Sequence, residues 1–198
     1  MAPQPVKGRF LYPRLESVAR SGVFSNRGPQ VRELEERIAE WVSVSSTVVV
    51  ATSNATLGLT AAVALSPAQK WMVPAWSFPA TALAPLQAGR LIEFVDLHLT
   101  TWLPITQPDT SRTGLITVVP FGGSFDERVW AADGEHIVDA AASLATQPDL
   151  STLPESVAVI FSLHATKTMG GAEGGIMVFG SPERAALARQ WINFGLSS

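Results

Sequence analysis

One lysine stands in a segment whose composition suits covalent chemistry on a carbonyl group. Lys167 lies in the run Phe161-Ser-Leu-His-Ala-Thr-Lys-Thr-Met-Gly-Gly-Ala-Glu-Gly-Gly175, between two apolar stretches and just before four glycines. A lysine amine attacks an aldehyde only when it is uncharged, a state that burial or a neighbouring cation favours. The glycines permit close backbone approach beside it. The segment predicts a Schiff-base nucleophile and an aldehyde cofactor; the alternative is an ordinary lysine in a surface loop.

An aspartate ends another apolar run, where burial of a charge costs free energy. Asp139 follows His136-Ile-Val and precedes Ala140-Ala-Ala. A buried carboxylate needs a partner. Against a pyridine nitrogen it would keep that nitrogen protonated and so strengthen the ring as an electron acceptor. The alternative is a helix N-cap, since a helix could begin at Ala140, and the sequence leaves both interpretations open.

Three polar side chains are candidates for binding a phosphate. Ser53 and Asn54 directly precede a helical segment over Ala55–Leu65. A helix N-terminus presents free backbone N–H groups, which bind anions well. Ser162, at the end of a later apolar run, would add a hydroxyl to the same phosphate. For all three, plain helix capping or a strand-end hydrogen bond to the backbone is the alternative.

Two ring side chains are candidates for contact with a flat cofactor. Trp76, in Pro74-Ala-Trp-Ser-Phe78, would lay its indole over an aromatic ring. His164, close to Lys167, is a candidate for stacking on the cofactor ring or for a polar contact with it. The alternatives are a core tryptophan, because the chain has six, and a structural histidine with its hydrogen bonds satisfied.

Composition excludes several other functions. The 198 residues carry a net charge of −3 without any cluster of Lys or Arg, which argues against nucleic acid as a partner. The chain has no cysteine, and its three histidines are widely separated, so neither a disulfide framework nor a metal site is predicted. No apolar stretch is long enough for a membrane span, and no signal peptide is evident, so we expect a cytoplasmic protein without membrane contact.

Short apolar runs alternate with helical segments along the chain. Several of the runs are continuous, as expected for strands that are buried on both faces. This alternation predicts an α/β fold of three layers, αβα, around a mostly parallel seven-stranded sheet. The candidate strands are Thr47–Ala51, Trp71–Pro74, Leu91–Val95, Leu115–Val119, His136–Asp139, Val157–Phe161 and Ile176–Phe179. The candidate site residues follow these strands, where ligands of such sheets gather.

Taken together and in order, these motifs resemble the DegT/DnrJ/EryC1/StrS family of pyridoxal phosphate enzymes, most of which are sugar aminotransferases. The resemblance covers nearly the whole chain. It is carried by Thr52-Ser-Asn-Ala-Thr56, Val73-Pro-Ala-Trp-Ser-Phe-Pro-Ala-Thr81, Val138-Asp-Ala-Ala-Ala-Ser143 and Phe161 to Gly175. It implies the large domain of an aspartate-aminotransferase-like enzyme with pyridoxal 5′-phosphate as cofactor.

The resemblance also implies a role for each residue. Lys167 would bind the cofactor covalently and move the proton between the substrate Cα and the cofactor C4′. Asp139 would pair with the pyridine nitrogen and Trp76 would stack on the ring. The remaining cofactor contacts would come from Ser53, Asn54, Ala142, Ser162 and His164. Ala142 stands where many members have a glutamine that bonds the cofactor 3-hydroxyl, and Ser143 is a candidate replacement donor.

The expected reaction is transfer of an amino group from glutamate, the amino-acid donor, to a nucleotide-linked keto sugar, in a homodimer. A dehydratase of the same family is disfavoured, because those enzymes carry histidine at the position of Lys167. A Rossmann-type dehydrogenase is disfavoured by the missing glycine-rich turn after Ala51.

The expected organisation has three parts. Residues 1–28 form an N-terminal arm that reads as irregular, residues 29–181 form the pyridoxal phosphate-binding large domain, and residues 182–198 begin a helix leading to a small domain that is absent. The alternative function is therefore a truncated, non-catalytic remnant that binds cofactor or a partner.

Overall fold

A sheet of seven strands forms the centre of the structure. The computed structural model describes residues 7–24, 27–108, 112–125, 127–130 and 134–196. None of the helices in these ranges is long and apolar enough to cross a membrane. The strands and α-helices, in chain order, are α1 Gly8–Ser21, α2 Pro29–Trp41, β1 Val49–Thr52, α3 Ala55–Ala64, β2 Lys70–Pro74, α4 Pro79–Gln87, β3 Leu91–Val95, β4 Thr113–Val118, β5 His136–Asp139, β6 Val157–Ser162, β7 Gly175–Phe179 and α5 Pro182–Ile192.

The strand order is β1-β7-β6-β5-β4-β2-β3. Strand β7 runs antiparallel to both of its neighbours, and the other pairs are parallel. The prediction of a mostly parallel seven-stranded sheet is therefore confirmed. In register, Asp139 lies between Val118 and Ile160, so the carboxyl ends of β4, β5 and β6 meet at one edge.

Both faces of the sheet are buried, as the continuous apolar runs predicted. Along β6, Val159 and Phe161 belong to the core shared with α2, whereas Ala158 and Ile160 belong to the core shared with α3, α4 and α5. Successive side chains of a strand point to opposite faces, so one continuous run supplies both cores. The three-layer arrangement is confirmed.

The N-terminal segment differs from the irregular arm that its prolines predicted. Residues Gly8–Ser21 form a helix despite Pro13 within it, and Gly22, in the left-handed conformation, ends it by donating to the Val18 carbonyl. Arg14 pairs with Glu33 on α2, and no residue of the helix is buried. The expectation of irregular structure was wrong because local helical spacing and a glycine C-cap outweighed one internal proline.

Candidate active site

A cavity of about 480 Å³ opens at the carboxyl edge of the sheet. Its walls come from the ends of β5 and β6, the first turns of α3 and α4, and the loop between β6 and β7. Five residues predicted from the sequence line it together: Asn54, Asp139, Ser162, His164 and Lys167. The size lies within the range of small-molecule sites.

Asp139 is a buried carboxylate at the end of β5. Its Oδ2 accepts a hydrogen bond of 2.7 Å from the Thr81 hydroxyl on α4, and its Oδ1 accepts one of 3.2 Å from the Ala141 backbone N–H. Burial raises the pKa of the Asp139 carboxyl, while these two hydrogen bonds and the charge of Lys167 act in the opposite direction. A carboxylate offers about four acceptor positions. A cationic N–H donor entering the cavity would therefore stabilise its ionised form.

The segment after Asp139 turns instead of beginning an α-helix. Residues 140–143 form a turn, followed by a short 3₁₀ segment at Leu144–Thr146. The bond to the Ala141 N–H is thus a local turn contact, which leaves the second carboxylate oxygen directed to Thr81. The structure favours the site interpretation of Asp139 over helix capping.

Lys167 is held in the loop between β6 and β7 by backbone hydrogen bonds. Leu163 donates to the Gly174 carbonyl at 2.9 Å and accepts from the Gly171 N–H at 2.8 Å, and the Lys167 N–H donates to the His164 carbonyl at 2.9 Å. At Gly170, a Cβ would lie 2.5 Å from the His164 carbonyl oxygen. The glycine is needed there because the chain folds back tightly beside the lysine.

His164 joins the two sides of this loop. Its Nδ1 accepts the Thr166 backbone N–H at 3.2 Å, so the neutral ring carries its proton on Nε2. Nε2 lies 3.2 Å from the Glu173 carboxylate and donates to it. His164 therefore has the satisfied hydrogen bonds of a structural histidine and lines the cavity as well.

The start of α3 supplies the expected anion-binding position, but through its backbone. Asn54 is the N-cap, and its Oδ1 accepts from the Leu57 N–H at 2.8 Å. The first-turn N–H groups have no partner inside a helix, and Ala55 and Thr56 line the cavity. Gly175 permits this placement, since a Cβ there would lie 2.5 Å from the Asn54 carbonyl carbon.

Three residues predicted for the site are not among the residues that line this cavity. Ser53 lines a neighbouring cavity of about 360 Å³. Trp76 packs against Trp102, and Ala142 is outside the lining, whereas Ala141 belongs to it. The candidate replacement donor, Ser143, is fully buried and donates to the Val119 carbonyl at 3.4 Å, so its hydroxyl is directed away from the site.

Three further residues of the site were missed from the sequence. Phe78, two positions after Trp76, lines the cavity. Thr81 holds Asp139, and Glu173 holds His164. Two sequence features could have indicated these residues. Phe78 stands directly before the helix that starts at Pro79, and Glu173 is the single acid in a glycine-rich loop.

The family assignment rests on a match over almost the whole chain. Residues 7–198 match the model of the DegT/DnrJ/EryC1/StrS aminotransferase family. The chain belongs to this family.

Two relatives of this chain are named as aminotransferases of nucleotide-linked amino sugars. The UDP-4-amino-4-deoxy-L-arabinose–oxoglutarate aminotransferase of Shewanella sediminis is 30% identical over 90% of this chain and 49% of its own length. The dTDP-4-amino-4,6-dideoxy-D-glucose transaminase of Shigella dysenteriae is 29% identical over 92% and 53%. The crystal structure of DesI, determined in the presence of its TDP-sugar product, superposes with a TM-score of 0.83 at 32% identity, covering 98% of this chain and 52% of DesI. The chain thus spans about half the length of these relatives.

Proposed function

We propose that this chain is a pyridoxal phosphate-dependent aminotransferase that moves an amino group from glutamate to a nucleotide-linked keto sugar. The observation that carries the proposal is the meeting of Lys167 and the buried Asp139 in one cavity. Membership of the family and the names of its relatives support the substrate class.

The residues present fit this cofactor. Asp139, whose buried carboxylate lacks a cationic partner in its immediate hydrogen bonds, would hold a protonated ring nitrogen. Phe78 would lie against the ring, and the first turn of α3 with the Ser162 hydroxyl would hold the phosphate. Lys167 would bind the aldehyde. All of these lie within residues 29–181, the proposed cofactor-binding domain.

Each residue has a separate task in the reaction. The bound cofactor supplies an aldehyde that captures amino groups and a ring that accepts the electron pair released at the donor Cα. The Lys167 amine removes the Cα proton of the donor and delivers a proton to the acceptor carbon. Ionised Asp139 keeps the ring nitrogen protonated, while the bond between His164 and Glu173 holds the loop that carries Lys167.

A visible absorbance spectrum tests the proposal. Adding pyridoxal phosphate to the 198-residue chain should produce the visible band of lysine-bound cofactor, and glutamate should bleach it with release of 2-oxoglutarate. Lys167→Ala should abolish the band. Lys70→Ala is the matched control, because Lys70 lies on β2 and pairs with Glu93. A band that persists in Lys167→Ala, or no band in the unaltered chain, would contradict the assignment.

A homodimer is the second part of the proposal. Apolar side chains are exposed on two elements: Phe10, Tyr12 and Leu15 on α1, and Leu91 and Phe94 on the edge strand β3. Exposed apolar patches are typical of association sites, and a second copy of the chain would cover one or both of them. Light scattering coupled to size-exclusion chromatography measures the mass; a monomer at micromolar concentration with cofactor bound would contradict the dimer.

A further inference from the structure

Three aromatic side chains form an exposed cluster beside the Lys167 cavity. Trp76 lies 4.9 Å from Trp102 and 5.4 Å from Phe121 between ring centroids, and Trp102 meets Phe121 edge-on at 6.2 Å. The three residues are 52%, 37% and 79% exposed, respectively. Rings that contact one another and still face solvent leave their apolar faces available to a ligand.

The backbone holds two of these rings in an unfavourable conformation. Trp102 has φ of 61° and Phe121 has φ of 57°, the left-handed region that bulky residues avoid. Around Trp102, His98 accepts its N–H at 2.9 Å and donates to the Leu103 carbonyl at 2.8 Å. Such strain persists where surrounding contacts enforce it, and it concentrates at ligand sites. Strain and solvent exposure together favour a binding role over simple packing.

Two of the three rings line a cavity of about 390 Å³, whereas Trp76 is not among its lining residues. Trp102 and Phe121 line it, together with hydroxyl-bearing residues Thr100, Thr101 and Ser124, and none of its described lining residues is charged. Flat walls with a few hydroxyl groups suit a neutral planar ring with polar edges. They do not suit a phosphate, which would need cations or a helix N-terminus.

This ring site and the Lys167 cavity adjoin at the same sheet edge. Phe78, which lines the Lys167 cavity, is two residues from Trp76. Val119, which lines the ring cavity, donates its backbone N–H at 2.9 Å to the carbonyl of Asp139, which lines the Lys167 cavity. One extended ligand can therefore reach both places.

We infer that Trp102 and Phe121, which Trp76 packs against, stack on the nucleobase of the nucleotide-linked substrate while its sugar reaches Lys167. The inference rests on the proposed aminotransferase function and adds the base-binding site. Aromatic stacking explains how a cavity whose described lining carries no charge selects a nucleotide, because every base has a flat face for such contact. The diphosphate then lies between the two cavities.

Saturation-transfer NMR with uridine diphosphate and thymidine diphosphate tests the inference on the unaltered chain. Base protons should receive more saturation than ribose protons, and inorganic pyrophosphate should compete weakly. Stronger saturation of the ribose, or pyrophosphate binding as tight as that of the nucleoside diphosphates, would overturn the ring site.

Calorimetry with substituted chains tests the named residues. Trp76→Leu and Trp102→Leu keep apolar bulk and remove the flat ring, so each should weaken nucleoside diphosphate binding about tenfold or more. Trp191→Leu is the matched control, because Trp191 is 40% exposed on α5. Unchanged nucleoside diphosphate affinity in both cluster variants would overturn the inference. Dissociation of a dimer in these variants, with nucleotide affinity unchanged, would overturn it as well.

The visible band of bound cofactor, recorded on the same samples, separates this inference from the proposed function. A chain that binds cofactor normally but no nucleoside diphosphate overturns the ring site alone. A chain that binds the base but no cofactor supports the ring site and overturns the aminotransferase.

Discussion

His136 is a buried histidine whose protonation should weaken the fold in mild acid. It lies on β5 with 1% of its surface exposed, and its Nε2 is 3.0 Å from the Thr117 hydroxyl. That hydroxyl donates its own proton to the Val129 carbonyl, so Nε2 carries the ring proton and donates. The Nδ1 atom is buried without a hydrogen-bond partner among the described residues, and a second proton there would have no acceptor.

The size of the effect follows from the shift in the pKa. Burial lowers the pKa of His136 from 6.5 to about 4. Between these values the unfolded chain binds a proton that the folded chain does not, so stability falls as the pH falls. Each pH unit corresponds to about 1.4 kcal/mol, so the range of about 2.5 units corresponds to a loss of about 3 kcal/mol, and stability should be level above pH 6.5 for this group.

Urea unfolding at a series of pH values measures this loss. The free energy of unfolding of the unaltered chain should fall steadily from pH 6.5 towards pH 4.5. The free energy of unfolding of His136→Gln should be lower at pH 6.5 and should decrease less over the same range. His98→Gln is the control, because His98 lies in the loop after β3 and bonds to Thr100. Equal pH slopes in the unaltered chain and His136→Gln would refute the reasoning.

Three further predictions concern the site and its supports. Asp139→Asn should weaken pyridoxal phosphate binding about tenfold to a hundredfold in a spectral titration, since a charge-assisted hydrogen bond contributes about 1.5–3 kcal/mol. Because burial raises the pKa of Asp139, the same substitution should raise the thermal stability of the cofactor-free chain at neutral pH. A fall in both the cofactor affinity and the thermal stability would argue against the assignment. Gly175→Ala should destabilise the chain by about 1–3 kcal/mol in urea unfolding, since its Cβ would meet the Asn54 backbone at 2.5 Å. Gly171→Ala, whose Cβ would have its nearest contact at 3.8 Å, should change the free energy of unfolding little. Equal losses of stability in the two variants would contradict the prediction. Arg189→Met should destabilise the chain by about 3–5 kcal/mol, because it removes bonds to the Ser46, Thr47 and Val49 carbonyls and the ion pair of Arg189 with buried Glu35. A loss below 1 kcal/mol, measured by the same method, would show that the pair is dispensable.

Much of the fold was predictable because it follows from local patterns. Continuous apolar runs such as Val157–Phe161 predict strands buried on both faces, and β6 does supply two cores. The N-terminal helix was missed because the prolines of this segment, Pro13 among them, predicted irregular structure. None of the helix residues is buried.

Most of the candidate site was predictable for a related reason. Asp139 and Ser162 each end a strand, and parallel strands bring their ends to one edge. Their position in the sequence therefore determines their position in space. Asn54 and Lys167 lie in the connections that leave the same edge, so the chain alone predicted that these residues would meet.

Tertiary structure decided what lies beyond the strand ends. Between β2 and α4, Phe78 lines the Lys167 cavity, whereas Trp76 packs against two partners, Trp102 and Phe121. Those two partners come from segments about 25 and 45 residues further along the chain, and no local pattern encodes such contacts. The sequence by itself determined which residue types reach the site, because strand pattern and register are local. Which aromatic ring faces the cavity depended on packing between distant loops, and only the folded chain sets it.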